Sequence, residues 1–227
     1  MSATSGADRS KVRPDAGMAR VGVLLSGRGS NFVALAQALA REEAPAEIVL
    51  VVSNVAEAPG LVRASELEIP ALALPHRQFA SRAAQEVALE AALRAAGVEW
   101  ICLAGYMRLL SPQFVAGWPQ RILNVHPSLL PAFPGLYPQR QALAAGVRVS
   151  GCTVHLVDAG LDSGPIVEQR AVAVSDGDDE TALAARILVE EHRAYPRALR
   201  RLLTERWSVA DGRLSFAVDA RTGEGAK

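Results

Sequence analysis

Residues 20 to 41 read Arg20-Val21-Gly22-Val23-Leu24-Leu25-Ser26-Gly27-Arg28-Gly29-Ser30-Asn31-Phe32-Val33-Ala34-Leu35-Ala36-Gln37-Ala38-Leu39-Ala40-Arg41. A short apolar run, Arg20 to Leu25, passes through a glycine-containing turn at Ser26 to Asn31 into a helical pattern from Phe32 to Arg41. The spacing predicts a strand, a tight loop and a helix. Free backbone N–H groups and the dipole at such a helix start favour an anion, and a phosphate is the obvious guest. The loop lacks the lysine of a Walker A sequence and the third glycine of a dinucleotide fingerprint. It therefore supports one terminal phosphate rather than ATP or NAD. The same residues also read more plainly, with glycines making a tight turn and Ser30 or Asn31 capping the helix.

Outward from this unit the pattern repeats. Glu47 to Val52 is apolar after its first residue, Pro59 opens a helix expected to end near Glu68, and a short strand follows at Ala71 to Leu74. Ser81 to Ala96 reads as a helix closed by Gly97, and Trp100 to Leu103 as another strand. Alternating strands and helices predict an open, Rossmann-like twisted sheet, mostly parallel, with helices on both faces. After Asn124 the pattern changes. Gly151 to Val157 and Ile166 to Val174 are strand-like with no helix between them, so an antiparallel C-terminal part is expected. A long helix is predicted from Asp179 to Leu203, with acidic residues at its start and Pro196 bending or ending its first segment. The expected organisation is one domain over 20–218. A phosphate-binding half is expected over 20–120 and a second, catalytic half over 121–218. A disordered leader is expected over 1–19, with Met18 as an alternative start, and a disordered tail over 219–227.

Composition narrows the function. The 227 residues are half hydrophobic and 21% charged, with 24 basic and 24 acidic side chains and a formal net charge of zero. Nothing global draws such a chain to nucleic acid, so small molecules are the expected partners. No apolar run long enough to span a bilayer and no signal peptide stand out. The only two cysteines, Cys102 and Cys152, make no disulfide framework, and a cytoplasmic location is expected.

The chemistry concentrates further along. If Asn124 and His126 lie on one strand, alternation points both side chains to the same face, and Pro127 stops the strand just beyond His126. The run Pro127 to Gly135 has prolines at 127, 131 and 134 and is too stiff for helix, so it can fix His126 and wall a pocket. Asp162, in the loop Val157 to Pro165, is a turn former or, close to His126, a carboxylate favouring the protonated imidazole. That form can donate to a developing oxyanion. His76, His155 and His192 read as structural hydrogen bonders.

These motifs carry a resemblance. SGRGSN at 26–31, Ser53-Asn54, LAGYMRLLS at 103–111, NVHPSLLPAFPGL at 124–136 and LDSGP at 161–165 stand in this order. Over residues 20 to 214 the chain resembles the phosphoribosylglycinamide formyltransferases, folate-dependent enzymes of purine synthesis. The resemblance implies transfer of a formyl group from 10-formyltetrahydrofolate to the amine of glycinamide ribonucleotide, without a metal, by a cytoplasmic monomer or homodimer. It implies that Gly29, Ser30 and Asn31 hold the phosphate and that Glu191 contacts the ribose. Met107, Arg108, Leu109 and Leu110 line the folate site, Arg82 and Asn124 also bind the folate, and the loop with Asp158 and Gly160 closes over the pteridine. Asn124, His126 and Asp162 are then catalytic. Two positions depart from the family pattern: Tyr137 replaces a histidine common in relatives, and Leu188 replaces a glutamine. A formyltetrahydrofolate deformylase-like hydrolase and a non-catalytic folate or ribonucleotide sensor are the competing readings. A methionyl-tRNA formyltransferase shares the Asn, His and Asp set, but length disfavours it.

Overall fold

The computed structural model describes residues 17–41 and 43–217. The leader expected over 1–19 lies outside these except for residues 17–19, and the tail expected over 219–227 lies outside entirely. Strand β1 (Ala19–Leu25) leads through the glycine loop into helix α1 (Ser30–Ala40), and β2 (Ala46–Ser53), α2 (Pro59–Glu66) and β3 (Ala71–Ala73) follow. Next come α3 (Arg82–Ala95), β4 (Trp100–Leu103), α4 (Pro112–Ala116) and β5 (Ile122–His126). The chain continues with α5 (Pro138–Ala144), β6 (Val149–Leu156), β7 (Ile166–Ala173), α6 (Glu180–Thr204), β8 (Trp207–Ala210) and β9 (Arg213–Phe216).

The main sheet has the order β3-β2-β1-β4-β5-β6-β7. All pairs from β3 to β5 are parallel, while β5 with β6 and β6 with β7 are antiparallel. The mostly parallel open sheet with an antiparallel C-terminal part is as the sequence predicts. Winding begins at β1, proceeds to β3, and resumes on the other side with β4. The reversal leaves a crevice between the carboxyl ends of β1 and β4, where ligands bind in open α/β sheets.

Strand residues sort by period two. Val21, Val23 and Leu25 of β1 face one apolar cluster with Phe32 and Leu35 of α1 and with Leu183, Ile187 and Leu199 of α6. Leu24 faces the other, with Leu89 and Leu93 of α3 and Phe114 of α4. Gly22 belongs to the second face because a Cβ there would lie 2.8 Å from Leu93 Cδ2. Helix α6 crosses the sheet and is anchored by Tyr195, whose buried hydroxyl donates toward the carbonyls of Leu103 and Leu123, at 3.0 and 2.9 Å.

Several boundaries differ from expectation. Helix α1 begins at Ser30, two residues before Phe32, and neither Ser30 nor Asn31 caps it. Gly29 takes the cap position at φ +70° with no side-chain cap. Pro196 does not end its helix: α6 runs unbroken from Glu180 to Thr204 with Pro196 buried inside it. Proline forfeits one backbone bond there, and the apolar packing of the turns on either side holds the helix together. Helices α4 and α5 and the separate hairpin of β8 and β9 were not anticipated. Cys102 and Cys152 are free and buried, and burial pushes both thiols up to about 12, which leaves them protonated and inert.

Candidate active site

Asn124 and His126 stand two residues apart on β5, opposite His155 and Thr153 of β6. Pro127 follows the last strand residue, as its missing N–H requires. The loop after β6 carries Asp162 onto this pair. Its Oδ2 lies 3.4 Å from His126 Nδ1, and its Oδ1 lies 3.8 Å from His155 Nε2. Oδ2 also accepts the Gly135 N–H at 2.8 Å, which ties Asp162 to the proline-rich segment. Asp162 holds φ +50°, a left-handed conformation that aspartate tolerates better than most residues.

Hydrogen-bond partners assign the ring nitrogens. His126 Nε2 is 2.9 Å from the carbonyl of Phe133, which can only accept, so Nε2 carries a proton and anchors the ring. Nδ1 is then the nitrogen turned toward Asp162, at a distance long enough for a substrate atom to share. His155 Nδ1 is 3.0 Å from the Leu156 carbonyl, so it too carries a proton, and Nε2 accepts from the Asn124 amide at 3.1 Å. Burial outweighs the opposing pull of the Leu156 carbonyl and the nearby carboxylates and lowers the His155 pKa, favouring the neutral ring this bond needs. One Asn124 amide hydrogen is thereby used to orient the side chain, and the other is left for a ligand oxygen. His155 is the structural hydrogen bonder the sequence suggests, but its partner, Asn124, was not foreseen. Its signal was strand pairing, which brings residues 31 apart into contact.

The stiff segment after His126 is held in place from β6 and β7. Thr153 Oγ1 donates to the Ser128 carbonyl at 2.7 Å and accepts the Leu130 N–H at 2.9 Å. Gln169 Nε2 donates to the Leu130 carbonyl at 2.8 Å. Tyr137, in the place of the histidine common in relatives, is exposed, sits at φ +57° and stacks near Arg140. Its hydroxyl makes no hydrogen bond among the described residues. Any bond a histidine would form there is missing rather than replaced. Leu188, the other departure, lies half-buried on α6.

The glycine loop before α1 meets α6. Asn31 Nδ2 donates to Glu191 Oε2 at 2.7 Å, and both side chains are buried. Burial raises the Glu191 carboxyl above its usual range despite that bond. Asn31 Oδ1 has no partner among the described residues. Gly29 must lack a Cβ on two counts, its positive φ and the Gly60 Cα that would lie 3.0 Å away. Ser30 opens the helix, with Asn31 next to it.

On the opposite side of the crevice, the segment after β4 exposes Met107 and Leu109, while Arg108 and Leu110 are half-buried. Arg82, at the first turn of α3, pairs with Glu86 at 3.1 Å. Glu86 also accepts the Ser111 N–H at 2.8 Å and its hydroxyl. Burial pushes the Glu86 carboxyl up, but these bonds outweigh it and leave it below its usual value. Arg82 thus lines a cleft of about 650 Å³ between α3 and α4, joined through Glu86 to the residue that follows Leu110. In the 157–165 loop, Asp158 Oδ1 accepts the Gly160 N–H at 3.0 Å and the Ser163 hydroxyl at 2.9 Å. Asp158 therefore shapes the loop. Among the described residues, no group of three or more acidic, histidine or cysteine side chains could hold a metal, and no helix is long and apolar enough to cross a membrane.

Comparison with known proteins identifies the family. The profile of the family described as formyl transferase matches residues 19–199. The chain is 54% identical over 183 residues to a trifunctional purine biosynthetic protein adenosine-3 of Drosophila pseudoobscura pseudoobscura; the match covers 79% of this chain and spans only 13% of that protein's length. It is 41% identical to the phosphoribosylglycinamide formyltransferase of Bacillus subtilis (strain 168), with 82% of this chain and 95% of that one covered. Among solved structures, glycinamide ribonucleotide transformylase 1 from Symbiobacterium toebii superposes with a TM-score of 0.87 at 45% identity, over 92% of this chain and 99% of that one. The chain belongs to the formyl transferase family, on the branch that contains the phosphoribosylglycinamide formyltransferases.

Proposed function

We propose that this protein transfers the formyl group of 10-formyltetrahydrofolate to the amine of glycinamide ribonucleotide, giving formylglycinamide ribonucleotide and tetrahydrofolate. The observation that carries this reading is the Asp162 carboxylate held 3.4 Å from His126 and 3.8 Å from His155, with Asn124 oriented by His155. A small-molecule acyl transfer needs donors for an oxyanion and a carboxylate for a proton, and this cluster has both.

In this reading the Gly29 to Asn31 loop takes the ribonucleotide phosphate at the start of α1, and Glu191 takes the ribose. The segment Met107 to Leu110, with Arg82, takes the folate. The neutral amine attacks the formyl carbon, forming a C–N bond and a tetrahedral oxyanion. The free Asn124 amide hydrogen and a proton on His126 Nδ1 stabilise that oxygen. Asp162 steers the proton released by the amine, through a water, to N10 of the folate as the C–N10 bond breaks. Removing one oxyanion donor typically costs about 3 kcal/mol, or 10² to 10³ in rate.

The test is an absorbance assay for tetrahydrofolate release from the 10-formyl cofactor, with and without glycinamide ribonucleotide. Release that requires the ribonucleotide is the expected result. Release at the same rate without it would replace the transferase by a hydrolase, and binding of both ligands without release would leave only a sensor.

A further inference from the structure

Ser26, the first residue after β1, is bonded to both sides of the crevice and lies outside the reacting cluster. Its N–H donates to the Gly105 carbonyl at 3.1 Å. Its Oγ accepts the Met107 N–H at 2.7 Å and donates to Asn54 Oδ1 at 2.5 Å. Asn54 is itself buried, one residue past the end of β2. One hydroxyl therefore joins the ends of β1, β2 and β4 at the point where the strand order reverses. The glycine loop that begins at Ser26 is also fastened to α2, since Gly60 N–H donates to the Gly27 carbonyl at 3.0 Å.

Resting on the formyl-transfer reading, we propose that Ser26 is a positioning residue that couples the ribonucleotide and folate sites. It fixes the main chain at Met107, where the folate segment starts, relative to the loop that takes the phosphate. A ligand that orders one segment orders the other through this hydroxyl, so each ligand is bound more tightly when the other is present. Such coupling is reciprocal: the factor must be the same whichever ligand is titrated first.

The experiment is calorimetric titration of glycinamide ribonucleotide with and without saturating tetrahydrofolate, a pair with no formyl group to transfer, and the reverse titration. Wild type is expected to show a coupling factor of about five or more in both directions. Ser26→Ala is expected to bring it within about twofold of one, and Ser26→Thr, which keeps the hydroxyl, to preserve it. Should Ser26→Ala not fold, Ser26→Cys, whose thiol is a poor acceptor for the Met107 N–H, reads the same quantity. A wild type that binds both ligands without coupling, or an alanine variant that folds and couples as wild type does, overturns the proposal. A wild type that binds neither ligand overturns the formyl-transfer reading beneath it.

Discussion

At the scale of single residues, Asp162 does two jobs with one carboxylate: it fastens the Gly135 N–H and it faces two imidazoles. Asparagine has the same shape and can keep the first job with its oxygen, but it has no charge for the second. Asp162→Asn is therefore expected to fold with a melting temperature close to that of wild type and to bind both substrates, while kcat falls by at least about 10². Turnover within a few fold of wild type would remove Asp162 from the mechanism. Alternation along a strand is local, so the shared face of Asn124 and His126 was legible in the sequence. The partner of His155 was not, because no local pattern says which residue of another strand will lie opposite Asn124. Tyr137 shows the reverse limit: its position was evident, yet only the fold shows it exposed beside Arg140, with its hydroxyl in no hydrogen bond among the described residues.

At the scale of elements, α6 is amphipathic over its whole length and buries Leu183, Ile187, Tyr195, Leu199 and Leu202 against the sheet. Its start is set by Asp179, whose carboxylate accepts the Ala182 N–H at 2.7 Å. Asp179→Ala removes this cap, and Asp179 is bonded to none of the reacting groups. It is expected to lower unfolding free energy by about 1 kcal/mol in urea titration and leave kcat unchanged. Loss of catalysis in step with stability would mean that α6 transmits strain to Glu191. The acidic start of α6, the strands of the main sheet and the long helices were readable because each is a run whose period or charge is chemically distinctive. Helices α4 and α5 were not: Pro112–Ala116 and Pro138–Ala144 are too short for a period to declare itself. The breaking power of Pro196 was overestimated for a related reason. A proline's local cost is visible in sequence, whereas the packing that offsets it comes from β-strands far along the chain.

At the scale of the whole molecule, one buried carboxyl couples stability to pH. Burial raises the Glu191 pKa above its usual value of 4.5, and the Asn31 amide only partly opposes this. The ionised form is thus penalised in the folded state. The stability this group contributes is complete below the unfolded value and is lost as pH rises through the higher folded one. A neutral amide has no such slope. The melting temperature of wild type relative to Glu191→Gln is therefore expected to fall as pH is raised from about 4 to about 8. Parallel curves for the two proteins would show that Glu191 does not titrate in this range.

Glu191 and Asn31 also mark the boundary between the two sources of information. By itself the sequence determined the class of fold, the glycine loop ahead of α1 and the strand carrying Asn124 and His126, because hydrophobic period, glycine turns and the missing proline N–H act between neighbours. Tertiary structure decided which distant groups meet: Asn31 with Glu191 across 160 residues, Ser26 with Met107 across 81, and His155 with Asn124 across 31. Those meetings follow from strand order and from register between strands. Both are settled by burying two apolar clusters on opposite faces of one sheet, and no single segment encodes that balance.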